Sequence, residues 1–249
     1  MLGTEGVVLN EFRFKDTSKI INIYTKKFGK INIMAKGAYN PKSRIVAHTQ
    51  PFAYSEYRLH KGRSFYYIND GSVIDSFYNI RENMERMIYG FYILELINKS
   101  TPEEEENQLL FLLLVKSLEI LSQLEEGFLK FIIAFELKFI SFLGYRPYIK
   151  KCIFCDSTKF SRMKFSIANG GIICEDCISN DVRAITMDRP MYEAMSKLLY
   201  VTLEDLDGIN IESDVLNRVQ NILEEYILFN TDRKEFNSLN ILKTVMKDK

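Results

Sequence analysis

Cysteine occurs at only four of the 249 positions, in two C-x-x-C pairs, Cys152–Cys155 and Cys174–Cys177, with eighteen residues between the pairs. A two-residue gap lets both thiolates of one knuckle face a single ion. A second knuckle then completes the tetrahedral four-thiolate shell that zinc prefers. Between the knuckles, Lys164–Ile167 reads as a short strand, Asn169-Gly170 as a two-residue turn and Gly171–Ile173 as the returning strand. The pattern predicts a zinc-ribbon-like module over residues 150–180, with one structural Zn2+ held by Cys152, Cys155, Cys174 and Cys177. Four protein ligands leave no open coordination position, so the ion marks a module and not an active site. Paired disulfides would require an oxidising compartment, and a thioredoxin-like centre would use one C-x-x-C in a βαβ unit. The sequence offers neither setting.

Upstream of the module the chain changes character twice. Gly6–Phe14, Lys19–Tyr24, Ile31–Lys36, Phe52–Leu59 and Phe65–Asn69 are short, rich in Val, Ile and aromatics, and separated by turn residues. Five such strands predict a small OB-fold-like barrel over residues 1–80. Of its aromatics Phe52, Tyr54, Tyr57, Tyr66 and Tyr67, alternation requires about half to face the packing side. From Arg81 the apolar spacing becomes helical. Thr101-Pro102-Glu103-Glu104 reads as a capping box opening a helix over Glu104–Gln123, which would make the Glu103–Glu106 run a first-turn dipole complement. Further helices are expected over Glu126–Leu143, from Pro190, over Val215–Phe229 and over Phe236–Met246. The expected architecture is α+β and multidomain: a barrel at 1–80, then a helical domain at 81–249 carrying the cysteine module.

Apolar residues at 47% and charged residues at 27% are ordinary globular values. Met1–Gly6 lacks the basic start and apolar core of a signal peptide, and the apolar run Leu109–Val115 is too short to cross a membrane. These features predict a cytoplasmic protein. The net charge of zero conceals an asymmetry, because residues 1–80 carry twelve Lys and Arg against six Asp and Glu. A basic first third points to a localised anionic partner. Arg13, Lys15 and Lys19 flank one expected turn, Lys36, Lys42 and Arg44 lie on a Gly- and Pro-containing loop, and Arg58, Lys61 and Arg63 flank another turn. Long cations on loops can reach phosphates, and Tyr39 on the middle loop offers a face for base stacking.

Catalytic motifs are missing. There is no Gly-rich phosphate loop, G-x-S-x-G elbow or H-E-x-x-H helix, and the two histidines, His48 and His60, stand apart from any cysteine or paired carboxylate. No small-molecule substrate and no enzymatic activity are expected.

Several local strings stand out: Gly6-Val7-Val8-Leu9, Phe28-Gly29-Lys30-Ile31, Ala35-Lys36-Gly37-Ala38, Pro41-Lys42-Ser43-Arg44, Gln50-Pro51-Phe52 and Leu143-Gly144-Tyr145-Arg146-Pro147. With the order of parts, they resemble the bacterial RecO family of recombination mediators. The similarity covers most of residues 1–180. Tyr39 departs from the basic residue often found there in the family, and Arg233-Lys234-Glu235-Phe236 only loosely matches its ending. The resemblance implies a non-catalytic, nucleoid-associated DNA repair protein. Such a protein would bind single- and double-stranded DNA, anneal strands and partner with RecR and the single-strand-binding protein. A pure protein–protein adaptor with a structural zinc module is the competing expectation.

Overall fold

The structure, a computed structural model, describes residues 1–241 and divides into two compact units. One comprises Met1–Leu124 together with the segment from Phe236, and the other Glu125–Glu235.

The first unit is built on a closed five-stranded barrel in the order β1-β2-β3-β5-β4. Its strands are β1 (Leu2–Phe14), β2 (Ser18–Thr25), β3 (Gly29–Ala35), β4 (Tyr54–Lys61) and β5 (Tyr66–Asp75). Closure depends on β1, which at thirteen residues pairs with β4 through Leu2–Val7 and with β2 through Gly6–Phe14. A register shift between Val8 and Asn10 bends the strand from one partner to the other. The β3–β5 seam is parallel and short, pairing Ile33 with Tyr66 and Met34 with Tyr67. Period-two alternation fills the interior with Ile21, Ile23, Ile31, Ile33, Val8, Tyr57 and Leu59. Of the five aromatics, Phe52, Tyr57 and Tyr66 are buried, while Tyr54 and Tyr67 are half-buried.

Helices α1 (Tyr78–Glu82), α2 (Met84–Ser100) and α3 (Gln108–Leu121) complete this unit. The expected capping box does not form. Thr101 instead closes α2, its hydroxyl and amide both donating to the Ile97 carbonyl at 2.7 and 3.1 Å. The helix that follows starts at Gln108, where the Asn107 side chain accepts from the Leu110 amide. The glutamate run is therefore not helical. It meets the barrel at β3 as an irregular segment turning at Glu104 (φ +56°), with Glu103 bridged to Lys30 and the Glu104 amide donating to the Lys30 carbonyl at 2.9 Å. The β3 edge beside Lys30 lies below the short β5 pairing and would otherwise carry an unpaired carbonyl, so tertiary pairing overrides the local helix signal.

The second unit holds α4 (Phe128–Phe142), the cysteine module, α5 (Arg189–Tyr200) and α6 (Ser213–Asn230). The sequence alone placed Pro190 at a helix start, and Asp188 caps α5 by accepting from the Met191 amide at 3.0 Å. In the module, β6 (Met163–Ser166) pairs with β7 (Gly171–Cys174), and β8 (Ile185–Met187), which sequence reasoning missed, adds a third strand beside β6. The β6–β7 connection is four residues long, not the expected two. Ser166 organises it, accepting from the Gly170 and Asn169 amides, and Gly170 takes φ +69°. The helix expected over Phe236–Met246 begins at Asn237, and its part beyond Ile241 lies outside the described residues. No described helix is long and apolar enough to cross a membrane.

Candidate metal centre and nucleic-acid interface

The four cysteine sulfurs all lie within 4.8 Å of one another, with Cys155 and Cys174 Sγ 3.5 Å apart. A disulfide requires about 2.05 Å. A tetrahedral shell with metal–sulfur bonds of about 2.3 Å has edges near 3.8 Å, which this spacing matches. All four thiols are free, and Cys152, Cys174 and Cys177 are buried while Cys155 reaches the surface. Burial opposes ionisation of Cys152, yet the amides of Cys174, Phe154 and Cys155 outweigh it and bring its pKa down to about 6. The Cys177 thiol is pushed up to about 12, foremost by its hydrogen bond with Cys155. A bound cation would ionise the whole set. The donor set therefore fits one thiolate-binding metal ion.

On the barrel, Arg13 stands near the end of β1 opposite Lys19 near the start of β2, and the turn between these strands carries Lys15. This turn meets the β3–β4 loop, because the Tyr39 amide donates to the Thr17 carbonyl at 3.1 Å. The Arg13 guanidinium lies 5.8 Å and the Lys19 ammonium 5.4 Å from the centre of the Tyr39 ring. Arg13, Lys15 and Tyr39 are exposed. Lys19 is not: its side chain is 4% exposed and pairs with Glu11 at 2.5 Å, which makes it a strut behind Tyr39.

Lys42 and Arg44 are exposed on the same loop, whose turn is fixed by Asn40 accepting from the Lys42 and Ser43 amides. Lys36 is also exposed, and its ammonium lies 5.1 Å from the centre of the Tyr67 ring. Tyr67 stacks on His60 at 5.0 Å and 13°, the two residues facing each other across β4 and β5. The linear sequence hid this group, since only the β4–β5 register brings His60 to Tyr67.

Arg58 stands 4.0 Å from Asp70, and Lys61 pairs with Glu104, so these two cations already face carboxylates. Hydrogen bonding to Glu104 and then Tyr66 raises the Lys61 pKa. Among the described residues, Arg13, Lys15, Lys36, Lys42, Arg44 and Arg63 form no ion pair. The arrangement is a set of unneutralised cations beside exposed aromatic faces, the combination that tracks a phosphate backbone while stacking bases.

The comparisons with known proteins agree with this architecture. Residues 1–77 match the family model for the N-terminal part of recombination protein O, and residues 81–240 match the model for its C-terminal part. The chain is 35% identical over 245 residues to the DNA repair protein RecO of Alkaliphilus metalliredigens (strain QYMF), covering 98% of this chain and 100% of that protein. It is 33% identical over 244 residues to the protein of the same name from Acetivibrio thermocellus, covering 98% and 97%. With the Bacillus pumilus protein it shares 30% identity over 256 residues, covering 99% and 97%.

Proposed function

The chain belongs to the RecO family of DNA repair proteins, and from that premise we propose that it binds single- and double-stranded DNA through its barrel and promotes annealing of complementary strands. With RecR it assists recombinase loading on strands coated by the single-strand-binding protein. It works by binding and not by catalysis, in the cytoplasm and on the nucleoid. The cysteine module holds one structural zinc ion through Cys152, Cys155, Cys174 and Cys177.

One observation carries the DNA part of this reading. The β1–β2 turn and the β3–β4 loop are joined at Tyr39, so Arg13 at the end of β1, Lys15 in the turn, and Lys42 and Arg44 in the loop belong to connected segments with an exposed ring between them. Each phosphate neutralised by such a side chain releases condensed counterions, so affinity falls linearly on a log–log salt plot. The roles of RecR and the single-strand-binding protein rest on family membership.

Fluorescence anisotropy with a labelled single strand, across a salt series and with the full-length metal-loaded protein, tests the proposal. Tight binding with a steep negative slope is expected. Absence of binding at low salt would move the function to protein docking. That second reading has its own support in the other unit, where Arg146 and Lys150 lie 5.0 and 5.4 Å from the ring centre of Tyr200, itself 50% exposed. A cationic and aromatic patch of this kind suits an acidic protein segment.

A further inference from the structure

A cavity of about 510 Å³ opens in the first unit beside the cationic loops. Its lining includes Tyr39 from the β3–β4 loop, Phe91 from α2, buried Phe52, and the Glu11–Lys19 pair. The volume is at the lower end of the range for small-ligand sites, about 300–1,000 Å³, which admits one nucleoside and excludes a duplex.

Two features of the lining bear on what the cavity could hold. Tyr39 and Phe91 are 42% and 41% exposed where they line this open cleft, Tyr39 beside the Lys19 ammonium and Phe91 against the buried Phe52 ring at 4.9 Å. Two large rings left open to water beside a cavity are platforms for a planar apolar partner. The second feature is Glu11. Its Oε2 is held by the buried Lys19 ammonium, while its Oε1 has no hydrogen-bond partner among the described residues. The cavity wall therefore presents an anchored acceptor, and the other cation of the lining, Arg81, is held by the Pro51 carbonyl at 2.6 Å.

The rim is cationic. Lys42 and Arg44 are exposed between the lining residues Pro41 and Val46, and Arg13 covers Tyr39. An anionic polymer is drawn to that rim, and a flat group with N–H donors is wanted inside. An acidic peptide would satisfy the rim but bring its carboxylates against Glu11. A DNA strand satisfies both, because its phosphates and its bases are separate groups.

We propose that the cavity lined by Tyr39, Phe91 and the Glu11–Lys19 pair accepts one unstacked nucleobase of a DNA strand and prefers a base with an exocyclic amino group. The inference rests on the DNA-binding reading and adds to it a device that distinguishes strands. A duplex keeps its bases paired and stacked, so only a single strand can fill the pocket. The amino groups of cytosine and adenine can donate to Glu11, and thymine carries a carbonyl in their place. Annealing would withdraw the held base as its complement pairs with it.

The test compares anisotropy titrations of the full-length metal-loaded protein with oligo-dC, oligo-dA, oligo-dT and a duplex, for wild type, Phe91→Ala and Tyr39→Ala. Emission from a strand carrying 2-aminopurine reports on the base itself. Wild type should bind oligo-dC and oligo-dA more tightly than oligo-dT and change the 2-aminopurine emission. Each variant should lose about 5- to 150-fold of its oligo-dC affinity and the emission change, and Phe91→Ala should hold its duplex affinity within about twofold. Tyr39 is a half-exposed loop residue, so its variant serves if Phe91→Ala melts early. Wild-type binding that both variants retain in full would overturn the pocket and leave DNA binding intact. Wild-type protein that binds neither single strand nor duplex would defeat the DNA-binding reading and the pocket with it.

Discussion

Lys61 donates to both carboxylate oxygens of Glu104, at 2.7 and 2.8 Å, and so ties the acidic stretch between α2 and α3 to the rim of the barrel. Both side chains are half-exposed. The pair therefore adds little to stability, and its consequence is electrostatic: a cation that would face phosphate faces an internal carboxylate instead. Glu104→Gln should raise affinity for single-stranded DNA and steepen the log–log salt slope by about 0.7, the contribution of one further phosphate contact. Its thermal midpoint should stay near that of wild type. A salt slope identical to wild type would show that Lys61 lies off the DNA path.

Lys36, Lys42 and Arg44 carry no ion pair among the described residues, so they are the complementary case. Replacing all three with alanine should weaken single-strand binding and flatten the salt slope by about 2, since each phosphate contact contributes about 0.7 for single strands. A salt series on the triple variant, with circular dichroism to check folding, measures this. Unchanged binding would remove the β3–β4 loop from the interface.

Much of this was legible because the signals were local. The C-x-x-C spacings identify a metal module without any tertiary information, and period-two alternation through Ile21, Ile23, Ile31 and Ile33 announces the barrel interior. What escaped depended on contacts distant in sequence. Thr101-Pro102-Glu103-Glu104 is a sound capping box by composition, yet Thr101 is spent on the Ile97 carbonyl and the glutamates on Lys30 and Lys61. Lys19 counts as one more basic residue in a composition tally, but its strand position turns it inward to Glu11. The His60–Tyr67–Lys36 group needs the β4–β5 register, and β8 is too short to carry a periodic signal of its own.

The cysteine shell is spaced for a single ion, so metal analysis of purified protein should find about one zinc per chain. Cys152→Ser or prolonged chelation should lower the thermal midpoint of the protein, because metal binding to such a site is coupled to folding. DNA affinity at a temperature where the variant stays folded should change little. A loss of affinity with the fold intact would place the module itself on DNA.

His48 supplies a pH dependence. The residue is 7% exposed, and its ring stands edge-on to Tyr57 at 6.4 Å. Burial lowers its pKa below 6.5, against a smaller upward pull from Asp70. The unfolded chain takes up this proton near pH 6.5 and the folded chain only at lower pH. In that window the unfolded state holds more protons, so stability falls as the pH drops below about 6.5 and levels off below the folded pKa. Urea unfolding at pH 7.5 and 5.5 should show the decline, and His48→Gln should make it smaller, the remainder coming from the metal-bound thiolates, which take up protons when the chain unfolds. Carboxylates held low, such as Glu5 and Glu95, contribute only further into acid. A wild-type midpoint that does not move between the two pH values would mean that the ring is protonated without cost.

Gly29 links the barrel to the acidic segment most directly. It takes φ +61°, and a Cβ added there would lie 1.9 Å from the Glu105 carbonyl oxygen, a backbone atom that no rotamer change can move. Gly29→Ala must therefore both strain its own backbone and push Glu103–Glu105 off β3. Gly37 separates the two effects, because at φ +72° it meets nothing within 4 Å. Gly37→Ala should cost about 1 kcal/mol for the left-handed backbone alone. Gly29→Ala should cost about 3 kcal/mol, as the contact with Glu105 is added. It should also raise DNA affinity as Glu104→Gln does, by releasing Lys61. Denaturant titration of the two variants side by side decides this. Equal losses would mean that the segment moves aside freely, and the restraint on Lys61 would then lie in the ion pair alone.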